Sequence, residues 1–211
     1  MRGPSNPSRL LLLACTATMT LLGACTTGSP VSANRSPEPT AVPVETASPS
    51  PPVGSFLRSC DSSVYGDLGP RWRKDALVAG PIAFVGVSSR PRGTGADLAP
   101  VGGRYHAVKT LAVVERGAEV TVAVPPAHRS HVALLYDPSS FHDDGLYSLA
   151  DGEPSVTFHA CGHGEGSPGP TQFNGGLIVD GPRCVSLDVT AAGGTPRTAF
   201  VSLGGRSCPA R

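Results

Sequence analysis

Two short stretches hold the residues whose types and spacing suit chemistry. His159-Ala160-Cys161-Gly162-His163-Gly164-Glu165 sets two imidazoles on either side of a sulfur, and with Cys161 as a thiolate, His159, Cys161 and His163 would offer a soft metal a mixed nitrogen and sulfur set. A blue-copper reading looks for a nearby axial methionine, yet the only methionines are Met1 and Met19, far up the chain. A disulfide at Cys161 would remove the sulfur from metal duty altogether. Ser139-Ser140-Phe141-His142-Asp143-Asp144 gathers hydroxyls, an imidazole and carboxylates, the residue types of a nucleophile, its base and an orienting acid. No Gly-x-Ser-x-Gly elbow and no Ser-x-x-Lys pair occurs in the chain, so a solvated turn is the plainer expectation here. Asp137, Asp143 and Asp144 would suit calcium as hard oxygen ligands, but the EF-hand spacing is missing.

Three further features are weaker. Tyr105-His106-Ala107-Val108-Lys109 matches the Tyr-x-x-x-Lys spacing of short-chain dehydrogenases, whose chemistry needs a nucleotide-binding βαβ unit that is not visible in this sequence. Gln172-Phe173-Asn174-Gly175-Gly176 interrupts a strand with paired glycines, which suggests a bend or a close backbone approach that a ligand or partner strand could use. Trp72, between Arg71 and Arg73, is either an exposed binding anchor or a rim residue closing a core.

These groups need elements to position them, and the elements read as strands. Residues 119–124, 155–160 and 184–189 alternate apolar and polar with period two, which puts Val120, Val122 and Val124, Val156, Phe158 and Ala160, and Val185, Leu187 and Val189 on single faces. By the same parity His159 faces solvent. Residues 81–87, 109–115, 131–136, 172–179 and 198–203 complete about eight candidate strands, separated by turn signals such as Arg116-Gly117, Asp151-Gly152, Asp180-Gly181-Pro182 and Gly193-Gly194. No window in this region has capped helical periodicity, and residues 71–77 would form one turn at most. The expectation is an all-β domain over residues 54–211, two antiparallel sheets packed face to face as an Ig-like or related β-sandwich, with a closed barrel as the alternative.

Cys60, Cys161, Cys184 and Cys208 lie in that domain, an even number that implies two disulfides in an exported protein. Meander geometry favours Cys184 with Cys208, because the first opens a strand and the second follows its hairpin partner, leaving Cys60 for Cys161. Cys60 with Cys208 and Cys161 with Cys184 is the rival pairing. Neither pair has thioredoxin or zinc-ribbon spacing.

The location comes from the N-terminus. Arg2 and Arg9 flank a short positive start, Leu10 to Leu22 form an apolar run of signal-peptide length, and Leu22-Gly23-Ala24-Cys25 resembles the bacterial lipobox. That resemblance implies a leader at 1–24, a diacylglycerol on the Cys25 sulfur and cleavage that makes Cys25 the mature N-terminus. The acyl chains would bury about 0.8 kcal/mol per methylene in the membrane. Residues 26–53 are rich in Ser, Thr, Pro, Ala and Val and cannot bury a core. They read as a disordered stalk spanning about 30 Å as a coil and about 85 Å as extended polyproline. Ala79-Gly80-Pro81-Ile82-Ala83-Phe84-Val85-Gly86, Thr171-Gln172-Phe173-Asn174-Gly175-Gly176 and Gly181-Pro182-Arg183-Cys184 resemble segments of uncharacterised exported lipoproteins of actinomycetes. The likeness implies the envelope location again and transfers no catalytic residue.

Charge adds an exclusion. The formal net charge is +1 and falls to −1 once Arg2 and Arg9 leave with the leader, and no basic patch interleaved with aromatics occurs, so a large nucleic-acid footprint is not expected. The sequence therefore points to a lipid-anchored protein on the extracytoplasmic face of the cell membrane, carrying a non-enzymatic domain that binds an envelope protein or cell-wall component. It assigns no catalytic residue, no cofactor and no metal. The alternative is an envelope hydrolase or metal-binding enzyme using His142, Asp143 and Asp144 or the His159/His163 pair.

Overall fold

A computed structural model describes residues 54–88, 98–165 and 169–209. The expected leader at 1–24, Cys25 and the expected stalk lie outside the described residues. In chain order the strands are β1 (Phe56–Arg58), β2 (Ala76–Ala79), β3 (Ile82–Val85), β4 (Tyr105–Lys109), β5 (Leu111–Val114), β6 (Glu119–Ala123), β7 (Val132–Leu135), β8 (Leu146–Tyr147), β9 (Ser155–His159), β10 (Thr171–Phe173), β11 (Gly176–Val179), β12 (Arg183–Ala191) and β13 (Arg197–Leu203). The described helical turns are short 3-10 turns, among them Trp72–Asp75, the single turn expected near there.

The all-β expectation holds, with three interacting sheets where two are expected. One has the order β1-β9-β6-β12-β13, the second β10-β5-β3-β2 and the third β7-β11-β4-β8. Pairing is antiparallel except that β1 runs parallel to β9. The apolar positions of the period-two segments behave as their pattern requires: Val120, Val122, Val156, Phe158, Val185, Leu187 and Val189 are buried, and the polar alternates of β6 and β12 sit partly covered, whereas Ser155 and Thr157 of β9 are buried as well. Both strands of the β12–β13 hairpin pair over seven positions, and Gly193, with φ +68°, supplies the left-handed turn that joins them.

The third sheet is set apart because two neighbouring strands keep each other in one register but change their outer neighbours at the same level: β5 lies beside β3, whereas β4 lies beside β8 and β11 beside β7. β4 ends at Lys109 and β5 starts at Leu111, while beside them β10 ends at Phe173 and β11 starts at Gly176. Lys109 pairs with Gly176 on one side of this corner and Ala112 with Phe173 on the other. At the corner itself the Thr110 N–H donates to the Gly175 carbonyl at 2.9 Å. The paired glycines are therefore a close approach, as their position in a strand suggests. A Cβ on Gly175 would lie 2.3 Å from Cδ1 of Tyr136 and 2.5 Å from the Leu135 carbonyl, and one on Gly176 would lie 2.7 Å from the Val108 carbonyl. Tyr136 cannot yield: it is buried, its ring meets Phe158 edge-on at 5.1 Å, and its hydroxyl donates to the Thr110 carbonyl at 3.3 Å. Burial pushes its phenol pKa well up. Gly175→Ala is expected to cost about 3 kcal/mol through overpacking, read as a lower urea midpoint with an unchanged slope; a midpoint within error of the parent would show that the corner opens freely.

One core serves all three sheets, with Leu77, Phe84, Val114, Val122, Leu134, Phe158, Phe173, Leu177, Leu187 and Val201 among its buried members. The third sheet is apolar on both faces. Val132, Leu134, Leu177 and Val179 point to the main core, whereas Ala133, Leu135 and Ile178 point outward and form a second cluster with Tyr147. Segment 138–152 folds over that outer face and adds Phe141 and Leu149. It seats tightly at Gly152, where a Cβ would lie 2.7 Å from Cβ of Ala133.

Both disulfides form, in the favoured pairing. Cys60–Cys161 links residues 101 apart and Cys184–Cys208 residues 24 apart. An isolated bridge between Ser88 and Ser202 ties the segment after β3 to β13 of the first sheet, and one between Val64 and Gln172 ties the segment after β1 to β10 of the second. Trp72 is half-buried at the rim, with the Arg73 guanidinium 4.9 Å over its ring.

Candidate functional site

On β4 the alternation divides the side chains between the two faces of the third sheet. Val108 packs on the main core, Tyr105 and Ala107 on the outer cluster, and Lys109 shares the parity of Tyr105 and Ala107. In register beside Lys109 lies Gly176, and beside Gly176 lies Leu135. That row has no side chain at its middle, so the outer face is hollow there. Phe141, His142, Asp143 and Gly145 of the covering segment arch over the hollow, Tyr147 of β8 closes one side, and Asn174 and Gly175 of the corner close the end. The result is a cavity of about 530 Å³ with walls from Ala107, Leu111, Leu135, Phe141 and Tyr147, a size typical of small-molecule sites.

Arg104 fixes the arch. Its guanidinium donates to Oδ2 of Asp144 at 2.7 Å, to the Leu146 carbonyl, and to Nδ1 of His142 at 2.8 Å when that nitrogen carries no proton. The alternative tautomer turns Nδ1–H onto the Leu146 carbonyl, 2.9 Å away. In either case Nδ1 is occupied, the ring stacks on Tyr147 with centroids 5.1 Å apart, and Nε2 is the nitrogen left for other partners. The Leu146 N–H donates to Asp144 at 3.0 Å. That bond first, and then Arg104, hold the Asp144 carboxyl below its ordinary pKa.

A carboxyl depressed by folding stabilises the arch at pH above its unfolded value of about 3.9 and loses that contribution as pH falls through the lower folded value. Amide-exchange protection at Leu146 is thus expected to stay flat from pH 5 to 8 and to fall in acid. Arg104→Met should move the fall to higher pH, and identical acid profiles in the two proteins would show that Asp144 does not hold the turn.

The Ser/His/Asp stretch does not assemble a nucleophile. Ser139 offers its N–H to Oδ1 of Asp137 at 2.8 Å, and among the described residues neither Ser139 nor Ser140 bonds His142 through its hydroxyl. The group oriented on the imidazole is a cation, where a triad needs a carboxylate to stabilise an imidazolium. Asp137, Asp143 and Asp144 are engaged separately: Asp137 caps a turn, Asp144 binds Arg104, and Asp143 lines the cavity.

The other stretch is also dispersed. His159 faces solvent as its parity requires and places Nε2 3.0 Å from Glu119, Cys161 is spent in the disulfide, and His163 is exposed in a turn. Among the described residues no three His, Cys, Asp or Glu side chains are grouped to hold a metal, which weighs against the metal-enzyme alternative. A polar depression of about 610 Å³ near His159 is lined by Asp61, Tyr65 and Glu165.

Sequence reasoning finds His142, Asp143, Asn174 and Gly175 by residue type or by the glycine pair, but gives Lys109 no place in a site and passes over Arg104, Tyr147 and Arg58. Arg58 is 1% exposed on β1, and its guanidinium reaches the carbonyls of Tyr136, Ser62 and Asn174. It therefore supports the corner from the core side while the cavity lies on the outer side. The only signal for it is an arginine at the inward position of a three-residue strand. No protein-family model, curated protein or solved structure matches the chain.

Proposed function

We propose that this protein is a lipid-tethered, extracytoplasmic binding module that captures a ligand or partner segment in the cavity under residues 141–147. The observation that carries the binding reading is the pre-formed apolar hollow edged by a few polar groups, in a region where the catalytic residue types fail to converge. The tether rests on the Leu22-Gly23-Ala24-Cys25 sequence and the stalk composition, and the two disulfides suit an oxidising compartment. The envelope protein or wall component expected from the sequence is the class of partner that location makes available. The layer arrangement is read as a sandwich of which one layer is folded along the Thr110–Gly175 corner, on the strength of the single core the sheets share.

Two measurements test this reading. Cys25→Ala is expected to shift the protein from the membrane fraction to the soluble fraction, and unchanged partition would refute the anchor. A photoreactive residue at Leu111, on the cavity wall, is expected to capture a partner or ligand in intact cells, where the same group at Arg197 on β13 does not. Equal capture from both positions, or none from Leu111, would refute the cavity as the binding site.

A further inference from the structure

We infer that the cavity takes a small zwitterionic ligand of the peptide class, an apolar dipeptide-sized molecule with a free carboxylate and a free ammonium. This rests on the reading of the cavity as a binding site and goes on to name what fills it. The polar groups at its edge are few and of opposite sign. Lys109 stands on the floor row and Asp143 on the arch, and among the described residues neither is in an ion pair. The Arg104 guanidinium does not alter this balance, because Asp144 matches it at 2.7 Å. The lining is consequently neutral overall but carries separated charges. An anion would meet Asp143 uncompensated, a cation would meet Lys109 uncompensated, and an uncharged apolar molecule would leave both rim charges facing it unused.

A zwitterion satisfies both, its carboxylate on the Lys109 ammonium and its ammonium on the Asp143 carboxylate. Between those ends the wall is apolar, with Leu135, Phe141 and Tyr147 available to an aliphatic or aromatic side chain. Nε2 of His142, which has no hydrogen-bond partner among the described residues, can bond an amide linkage. A volume of about 530 Å³ leaves room for more than a single charged headgroup.

The test is a titration of the full chain with leucyl-phenylalanine, followed by amide and methyl resonances of Ala107, Leu111 and Leu135. The same titration is run with the N-acetylated, C-amidated and doubly blocked dipeptides. The free dipeptide is expected to bind, and each single block is expected to weaken binding about two- to fivefold, since each removes one charge pair at an exposed rim. Lys109→Met should abolish the penalty for C-amidation alone, and Asp143→Asn the penalty for N-acetylation alone. Both side chains lie on the surface, so the variants should keep the parent circular dichroism spectrum. Equal binding of all four dipeptides would overturn the zwitterion assignment and leave the cavity a general apolar site. If no dipeptide binds, the assignment also fails; capture from Leu111 in cells then decides whether the binding-site reading fails with it.

Discussion

Arg58→Met is expected to remove about 3 kcal/mol of folding stability, because the buried Tyr136 carbonyl and the half-buried Ser62 carbonyl would each lose a charged donor at about 2 kcal/mol apiece, less some relief from no longer burying a cation. The guanidinium is held by geometry rather than by a counter-charge. Nη2 donates to the Ser62 carbonyl at 2.6 Å, Nε to the Ser62 hydroxyl at 2.9 Å and Nη1 to Tyr136, while the Cζ atom lies 5.5 Å from the Phe173 ring centroid. No described carboxylate lies within ion-pair distance, and burial lowers the Arg58 pKa accordingly. Arg58→Lys should recover less than half of the loss, since a compact ammonium cannot reach acceptors on three chain segments at once. Urea unfolding checks both values. A methionine variant within about 0.5 kcal/mol of the parent, in the range of an ordinary surface change, would show that the carbonyls find other donors. The Asn174 resonances should shift in both variants, because Arg58 also contacts the carbonyl and Oδ1 of that residue, at 3.4 and 3.5 Å.

Arg58 also marks where sequence reasoning reaches its limit. The long alternating strands are legible because a residue's side of the sheet is written in its parity: β6 and β12 follow their pattern closely, while β9 buries its apolar face as expected and Ser155 and Thr157 besides. β1, β2, β4 and β8 were not anticipated. β1 and β8 have three and two residues, too few for a period to show, and β1 buries a charge where the pattern asks for an apolar residue. The third sheet was illegible for a different reason. Across Thr110 and Gly175 the two segments stay paired in one register and only their outer neighbours change, which is a property of the assembled sheets, and each strand alone reads as continuous or merely glycine-weakened.

The cavity inherits that limit. His142 and Asp143 are neighbours in sequence, whereas Lys109 and Leu135, which line the same cavity, are brought there by sheet register. Residue types close together in a loop suggested a triad, and the loop instead spends them on capping, on Arg104 and on the cavity edge. Histidines two positions from Cys161 suggested a metal, and the disulfide and Glu119 take up two of the three ligands.

Removing the Cys60–Cys161 bridge is expected to cost more than removing Cys184–Cys208, and the reason joins chain entropy to topology. In the loop-closure account a loop of about 100 residues is worth about 4.7 kcal/mol and one of about 25 residues about 3.5 kcal/mol, and the two bridges close separations of 101 and 24. Topology widens the gap. β12 and β13 pair over seven positions without help from Cys208, whereas β1 is a three-residue parallel strand on the sheet margin, anchored by Cys60 just beyond its end. Releasing Cys60 therefore loosens the strand that carries Arg58. The paired replacement Cys60→Ala with Cys161→Ala should lower the urea midpoint more than Cys184→Ala with Cys208→Ala, and the opposite order would contradict the dependence of β1 on its bridge. Because both routes act through β1, adding Arg58→Met to the Cys60/Cys161 variant should cost less than in the parent, a coupling expected of residues sharing one structural support. Strict additivity would mean that β1 stays docked through its backbone pairing with β9 alone.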